Sequence, residues 1–306
     1  MSAPLEPERG EGFRIETPDL GGRRGRLSDW FTQRWVQLTG RRVRWSEAPW
    51  LEAPVGDVEV IGSGFYERFA ARRGLTLTRA PLGRGLLEHF AELAGPHCRV
   101  ATVNPEVARF YERTSDYGLE AWAEWCGAYR PFGHLLAMLF SRRLQQLNMP
   151  LSPPDSRLGV HSEVLRLEAA DGQAPWTAWV RTNVASGTVI YAGSYATTRV
   201  PRREGGCVKV AFPLPNGYAL VVLWPESHPD GSLTLHSSGT GFGDAGFYFY
   251  VEDQAGVGWA RYVPSMVESI NVFVDSSGVL RTDHELRIWG TRFLRLHYRL
   301  AKPPEN

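Results

Sequence analysis

The sequence predicts an α+β fold, in which a helical N-terminal portion packs on a large antiparallel β-sheet or a partly closed β-barrel. Three observations support this prediction. Apolar residues recur every three to four positions before Pro150 and about every second position after it. Beyond Pro150, turn dipeptides follow one another at intervals of about 8 to 12 residues, as in antiparallel meanders. The chain also contains 32 Gly and 21 Pro among 306 residues, which favours short strands joined by turns.

The first 150 residues divide into a tail and a helical portion. Residues 1–27 mix Pro and Gly with charges and offer little apolar surface to bury, which predicts a flexible tail. Residues 28–150 form the mainly helical portion, in which Ser28-Asp29 and Asn104-Pro105 are suited to start helices. The sequence predicts helices near 28–35 and over 64–73, 84–94, 105–117, 119–129 and 132–147, with a short strand near 58–61.

Residues 151–306 form the antiparallel β portion. Strands are predicted over 160–167, 176–184, 189–199, 208–212, 218–224, 232–235, 247–252, 258–263, 270–275, 279–288 and 293–300. Dipeptides such as Asp171-Gly172, Asn216-Gly217 and Ser277-Gly278 lie between apolar runs and tolerate the positive φ that hairpins need. Because the connection at 150–154 is short, we expect residues 28–306 to share one core.

The net charge and the cysteine content indicate which partners, metals and cofactors to expect. With 34 Lys and Arg against 33 Asp and Glu, the net charge is +1, so nucleic acid is not expected as a partner despite the Arg- and Trp-rich stretch at 23–50. Three cysteines without a Cys-x-x-Cys pair predict neither disulfides nor a zinc site, and we expect no metal or cofactor. The absence of a secretory signal and of a long apolar run predicts a cytoplasmic protein without a membrane span.

A glycine motif at residues 241–246 is interpreted as a loop. It matches G-x-G-x-x-G, which binds a pyrophosphate when it lies between a strand and a helix. Here a strand pattern follows the glycines, so we predict a glycine-rich loop between strands. The signatures of zinc metalloproteases, serine hydrolases, P-loop NTPases and EF-hands are missing from the sequence. The sequence therefore favours a protein that binds without catalysing a reaction.

Aromatic residues supply the leading functional prediction. The chain contains 11 Trp, 11 Tyr and 14 Phe, and rings with polar tips suit concave binding surfaces. We expect a non-enzymatic binding protein that offers an aromatic-lined groove or a sheet edge to a peptide or small amphipathic ligand, and that is able to form a homodimer. The candidate ligand-binding residues are Trp259, Tyr248, Tyr250, Arg261, Arg281 and Tyr298.

An acid–base enzyme acting on a small anionic or acyl substrate is the alternative. Asp283, His284 and Glu285 form the densest titratable group, and in a strand the two carboxylates share one face while His284 takes the other. A carboxylate from a different strand is then needed beside the histidine. The alternative requires convergence at one pocket of His284 or His236, Asp283 or Asp244, and Arg261 or Arg281.

Seven short sequence segments are similar to segments of known proteins. They are FYERTS at 110–115, SRRLQQLN at 141–148, GFGDAGFYF at 241–249, GWARYV at 258–263, SMVESI at 265–270, LRTDH at 280–284 and LRLHY at 294–298. Over roughly residues 100–300 the chain resembles an uncharacterised bacterial domain that is found alone or appended to YndJ-like membrane proteins. That resemblance implies no established reaction. In general character the chain also resembles peptide-binding accessory proteins of crocagin-type ribosomal-peptide pathways, which implies an accessory role in peptide natural-product biosynthesis.

Overall fold

A computed structural model of the chain describes residues 27–56, 64–79, 83–127, 160–172, 175–184, 187, 189–253 and 255–302. The predicted tail up to residue 26, the strand near 58–61 and the helix over 132–147 lie outside these residues. The helices are α1 (Leu27–Thr39), α2 (Phe65–Arg73) and α3 (Pro105–Glu112). The strands are β1 (Arg41–Val43), β2 (Thr76–Arg79), β3 (Gly118–Trp125), β4 (Val160–Glu168), β5 (Trp176–Asn183), β6 (Val189–Thr198), β7 (Cys207–Leu214), β8 (Gly217–Ser227), β9 (Leu233–His236), β10 (Gly246–Glu252), β11 (Gly258–Tyr262), β12 (Met266–Val274), β13 (Leu280–Ile288) and β14 (Thr291–Ala301).

The predicted α+β class is wrong, because one 14-stranded antiparallel sheet dominates the described residues. The three described α-helices span 13, 9 and 8 residues, and the portion expected to be mainly helical contributes β1, β2 and β3. Helices α1, α2 and α3 confirm three of the predicted helices. At the start of α3, the Asn104 side chain accepts a hydrogen bond from the Glu106 amide at 2.9 Å, and Pro105 follows the cap.

Two predicted helices have other structures. The spacing of apolar residues predicts a helix over 119–129, yet residues 119–125 belong to β3, in which exposure alternates from residue to residue. Pairing with β14 along eight residues outweighs that local pattern. Residues 84–94 are irregular apart from a 3₁₀ turn at Phe90–Leu93. Two amides of this segment donate to residues outside it and not along a helix. Leu87 N donates to Tyr111 O at 3.0 Å, and Phe90 N donates to Glu112 Oε1 at 2.7 Å.

The eleven strands predicted after residue 160 are all confirmed, as β4 to β14. One turn differs in detail from the prediction. The hairpin between β7 and β8 turns through Pro215 and Asn216, and Asn216 has a φ of 57°. Gly217 already belongs to β8, where a Cβ atom would lie 2.0 Å from Tyr250 O. Glycine is therefore required there by a close backbone approach and not by a positive φ.

The sheet is open and branched. Its strand order is β2-β4-β5-β6-β7-β8-β9-β12-β13-β14-β3, and β10, β11 and β1 form a branch from β8. Every pairing between these strands is antiparallel. Strand β3 approaches β4 to within 8 Å between Cα atoms, but the two do not pair. The sheet curls until its two ends come close but is not closed, whereas the sequence allows a partly closed β-barrel.

Both faces of the sheet are covered near β8. Leu220 and Val222 point into an outer core, where α2 and the 3₁₀ turn Pro49–Leu51 pack on the sheet. Val221 and Leu223 point to the concave face, where α3 packs. Alternate residues of one strand therefore belong to two different apolar layers, as the period of two requires. Each layer contains residues from before and after position 150.

A buried cation lies on β7. Lys209 is 6% exposed, its Nζ donates to Glu52 O at 2.8 Å, and it lies 4.4 Å from the ring of Trp176. Burial lowers the pKa of Lys209 from 10.5 to about 8, and Glu52 only partly opposes that shift. The ammonium form therefore still predominates at neutral pH, but the folded chain loses this proton at a lower pH than the unfolded chain does.

We expect the free energy of unfolding of the native protein to rise relative to that of Lys209→Met between about pH 8 and pH 10.5. In this window the unfolded chain keeps the Lys209 proton and the folded chain loses it, so stability increases with pH. The relative rise should approach about 3 kcal/mol. Chemical denaturation of both proteins at several pH values measures it. A difference that stays constant across the window would contradict a depressed pKa.

Candidate functional site

The concave face of the sheet encloses a cavity of about 610 Å³. Its walls are built from every second residue of neighbouring strands, and most of these side chains are apolar. They include Val208, Val210 and Phe212 of β7, Val221 and Leu223 of β8, and Leu294, Leu296 and Tyr298 of β14. Phe110 and Tyr111 of α3 complete one side. The cavity lies inside the curl of the sheet, where most of the inward positions are apolar.

Helix α1 covers another side of the cavity. Thr32, Gln33 and Trp35 line it, and Gln33 Nε2 donates to Pro215 O at 3.0 Å. The ring of Trp35 meets Phe249 edge to face at 5.9 Å. Trp35 is nevertheless 40% exposed. The wall of the cavity therefore meets solvent along α1.

Arg181 is the charged group of this cavity that no carboxylate balances within the described residues. It lies on β5, is 6% exposed, and has a buried Nε without a hydrogen-bond partner there. Aromatic rings surround the guanidinium, whose Cζ lies 3.7 Å from the centre of Trp179, 4.6 Å from Tyr191 and 5.4 Å from Tyr298. These contacts stabilise a cation through the ring faces. They do not supply a negative charge.

Three tyrosines place hydroxyl groups beside Arg181. The hydroxyls of Tyr191 and Tyr195 are hydrogen-bonded to each other at 2.5 Å. Burial raises the pKa of Tyr195 to about 12, although Arg181 opposes the shift, and it raises the pKa of Tyr191 and Tyr298 as well. All three phenols therefore keep their protons at neutral pH and remain able to donate hydrogen bonds.

A histidine–carboxylate pair completes the polar part of the wall. His284 Nε2 lies 2.6 Å from Glu268 Oε2, and the two side chains are 14% and 12% exposed. Both residues line the cavity with Tyr298. The charge of Glu268 contributes to the raised pKa of Tyr298 and of Tyr195, so its field reaches the group around Arg181. The polar residues thus form one cluster, here called the polar pole: Arg181, Tyr191, Tyr195, Glu268, His284 and Tyr298.

The residues of the predicted acid–base site are dispersed. As predicted, Asp283 and His284 lie on opposite faces of β13. Asp283 bonds outward, with Oδ1 at 2.6 Å from His297 Nδ1, and His284 is the candidate that lines the cavity. The other candidates have partners away from the cavity. His236 is hydrogen-bonded to Glu226 and stacks on Trp224, and Asp244 pairs with Arg203. Arg261 donates to Thr39 O, and Arg281 pairs with Asp275. The structure does not bring these groups to one pocket.

The aromatic candidates also separate. Tyr298 lies in the polar pole, and Tyr250 reaches the cavity but stacks mainly on Tyr218 at 4.6 Å in the outer core. Tyr248 is fully buried in the outer core, and Trp259 is half-buried on β11, where it pairs with β1. Of the six predicted ligand-binding residues, the structure therefore places Tyr298 and Tyr250 at the cavity.

Residues 241–245 of the glycine motif form a loop and Gly246 begins β10, in agreement with the interpretation above. Amides of the loop already have partners within the protein. Gly243 N donates to Tyr248 Oη at 3.2 Å, and Ala245 N donates to Asp244 Oδ1 at 2.7 Å. A phosphate would have to displace both. In the Arg- and Trp-rich stretch, Trp50 is buried and Trp45 packs beside it in the outer core, which leaves those rings unavailable for stacking on bases.

Sequence reasoning missed most of the polar pole. Glu268 was placed outside a strand because β12 was predicted to begin at residue 270, whereas it begins at Met266. The sequence signal for Arg181 is its place directly after the mostly apolar run 176–180 of β5, whose residues are buried together with it. Which residues face it across the cavity depends on the curl of the sheet. That is a non-local property that strand periodicity does not encode.

Comparisons of the chain with protein-family models, with curated proteins and with solved structures gave no match. The resemblances to the domain of YndJ-like proteins and to crocagin-type accessory proteins therefore stay predictions. In the described ranges, no helix is long and apolar enough to cross a membrane. The same residues contain no group of three His, Cys, Asp or Glu side chains that could hold a metal ion.

Two neighbouring valines test whether the cavity exists in solution. Val221→Phe places a ring in the open space and should change the free energy of unfolding by less than about 1 kcal/mol, whereas Val222→Phe overpacks the outer core and should cost about 2–3 kcal/mol. Urea denaturation of both variants measures the difference. Equal destabilisation by the two substitutions would show that the concave face is packed solid.

Proposed function

We propose that this chain is a non-enzymatic binding protein that holds one amphipathic small molecule in its cavity. The observation that carries the proposal is the space of about 610 Å³ on the concave face of the sheet. Protein interiors are otherwise close-packed, and ligand sites have volumes of about 300–1,000 Å³. A mostly apolar wall with a few polar groups gathered in one place suits a molecule with a long apolar part and one polar end.

The lining favours a lipid-like chain over a peptide. The cavity is bounded largely by strand faces, and the amide and carbonyl groups of these strands bond along the sheet. A peptide inside would therefore leave much of its own backbone unpaired, and each unpaired buried group costs about 1–3 kcal/mol. A hydrocarbon chain has no such requirement. A peptide bound at a sheet edge, a homodimer and a role in peptide natural-product biosynthesis remain predictions from the sequence.

Titration with N-phenyl-1-naphthylamine, an uncharged apolar dye, tests the proposal. We expect saturable binding of one dye per chain, with a rise in dye fluorescence and a Kd in the micromolar range, corresponding to about −8 kcal/mol. Val221→Phe should weaken the dye at least about tenfold, because its ring occupies the space that the dye needs.

The matched control is Val267→Phe, which is also a change from valine to phenylalanine. Val267 lies on β12 and does not line the cavity. This substitution should leave the dye affinity unchanged. Loss of affinity in both variants would point to an effect on folding, which the unfolding curves of the two proteins would show. A native protein that fails to bind the dye would contradict the proposal.

Acid–base catalysis on a bound ligand is the second candidate function, favoured by the 2.6 Å contact between His284 and Glu268 on the cavity wall. In this function His284 takes a proton from water while the water oxygen bonds to the acyl carbon of an ester, the bond from that carbon to the leaving oxygen breaks, and His284 returns the proton to the departing oxygen. Hydrolysis of p-nitrophenyl octanoate by the native protein, abolished in His284→Gln and Glu268→Gln, would support it. No release of nitrophenolate above the buffer rate would contradict it.

A further inference from the structure

We propose that the ligand of the cavity is an amphipathic monoanion, and that its carboxylate is bound by Arg181 at the polar pole. This inference rests on the proposed function, since it assigns the chemical class of the molecule held in the cavity. It requires a headgroup site and an apolar remainder that lie in the same enclosure. Arg181 and the apolar residues of β7, β8 and β14 meet this requirement, because they line one continuous space.

Arg181 is a buried charge that forms no direct ion pair with a carboxylate of the described residues. Buried arginines in proteins are almost always paired, because removing a charge from water is costly unless a partner replaces the solvent. No carboxylate of the described residues lies within 4.0 Å of its guanidinium nitrogens, and its buried Nε has no hydrogen-bond partner among them. Arginine does not lose its proton in proteins, so its charge cannot be removed on burial. The missing partner is therefore an acceptor with a negative charge.

Ring contacts hold the guanidinium of Arg181 in place and the Tyr298 hydroxyl is hydrogen-bonded to it, while the buried Nε has no partner among the described residues. Trp179, Tyr191 and Tyr298 contact the guanidinium within cation–π distance, with Trp179 closest at 3.7 Å. Ring contacts of this kind use the face of the planar group, whereas its N–H bonds lie in the plane. An oxygen pair in that plane receives two parallel hydrogen bonds, which is the geometry in which arginine binds carboxylates.

Neutral hydroxyl groups extend the headgroup site. Tyr298 lies beside Arg181, and Tyr191 and Tyr195 share a hydrogen bond on the neighbouring strand β6. Because burial keeps these phenols protonated, Tyr298 and the one hydroxyl of the Tyr191–Tyr195 pair that does not donate to the other act as donors toward a carboxylate. The headgroup thus receives one positive charge and several hydrogen-bond donors.

Glu268 limits the charge of the headgroup. Its carboxylate lies in the same cluster and is held by His284 at 2.6 Å. A dianion such as a phosphate monoester would carry a second negative charge toward Glu268 with no second arginine to balance it. Because Arg181 is the arginine of this cluster and Glu268 already carries a negative charge, a monoanionic carboxylate adds less uncompensated negative charge than a phosphate monoester does.

Displacement of N-phenyl-1-naphthylamine by matched twelve-carbon compounds tests the inference. The compounds are dodecanoic acid, dodecan-1-ol and dodecyl phosphate, measured at pH 8 where the acid is fully ionised, with acids of eight to sixteen carbons in parallel. We expect the best acid to bind at least about thirtyfold more tightly than the alcohol of the same length, and more tightly than the phosphate.

Arg181→Met should weaken the acid by at least about thirtyfold and leave the alcohol within about threefold, because only the charged headgroup loses its partner. Tyr298→Phe removes one hydroxyl and keeps the ring, so it should weaken the acid about threefold to tenfold and leave the alcohol unchanged. The second variant keeps the test valid if the first one does not fold. Arg281→Met is the matched control: its guanidinium pairs with Asp275 outside the cavity, and acid affinity should not change.

The outcomes separate this inference from the proposed function. Equal affinity for acid and alcohol in the native protein, or an acid affinity that survives Arg181→Met, would overturn the anion assignment while the binding function stands. Tighter binding of dodecyl phosphate than of every acid would also overturn it. If the dye binds but no acid of the series displaces it, the carboxylate assignment is wrong. If the dye itself does not bind, the proposed function fails first.

Discussion

Strand β8 is the constraint on which the rest of the structure depends. Its residues from Gly217 to Leu223 pair with β7 on one side, those from Gly217 to Val222 pair with β10 on the other, and those from Trp224 to Ser227 pair with β9. One continuous strand thus belongs to two arms of the sheet and sets the angle between them. Because both of its faces are apolar, it must be covered on both sides, by the outer core and by the cavity layer. The curl of the sheet and the space inside it follow from this strand.

Two buried cations show how differently the fold treats its two faces. Lys209 points into the outer layer, where a backbone carbonyl accepts its hydrogen bond and a lowered pKa lets it become neutral. Arg181 points into the cavity, where rings contact it and where deprotonation is not available to it. The burial of Lys209 is explained by groups of the protein alone, namely the carbonyl that accepts its hydrogen bond and the surroundings that lower its pKa. The second cation, Arg181, has no ion pair among the described residues, which is the observation behind the proposal that a ligand completes its surroundings.

Most of the β architecture could be predicted from the sequence, because hairpins are local. Turn residues and a period of two located β4 to β14, and the inward position of His284 followed from the same alternation. The prediction of a helix over 119–129 was wrong because β3 is stabilised by β14, more than 160 residues away in the sequence. The partner of His284 was missed for the same reason. It comes from β12, in a register that places Ile270 opposite His284 and Glu268 diagonally beside it, and nothing local distinguishes Glu268 from Asp283.

The alternation along β7, β8 and β14 has a consequence for how such a protein can change over time. Its backbone ladder and outward side chains hold the fold, while the inward side chains shape the enclosed space. Substitutions at every second position therefore alter the length and width of that space without disturbing a single ladder bond. A duplicated copy could drift toward a shorter, longer or branched cargo while the frame stays the same. We therefore expect descendants of this protein to differ mainly in the residues that line the cavity and to keep the residues that hold the strands together.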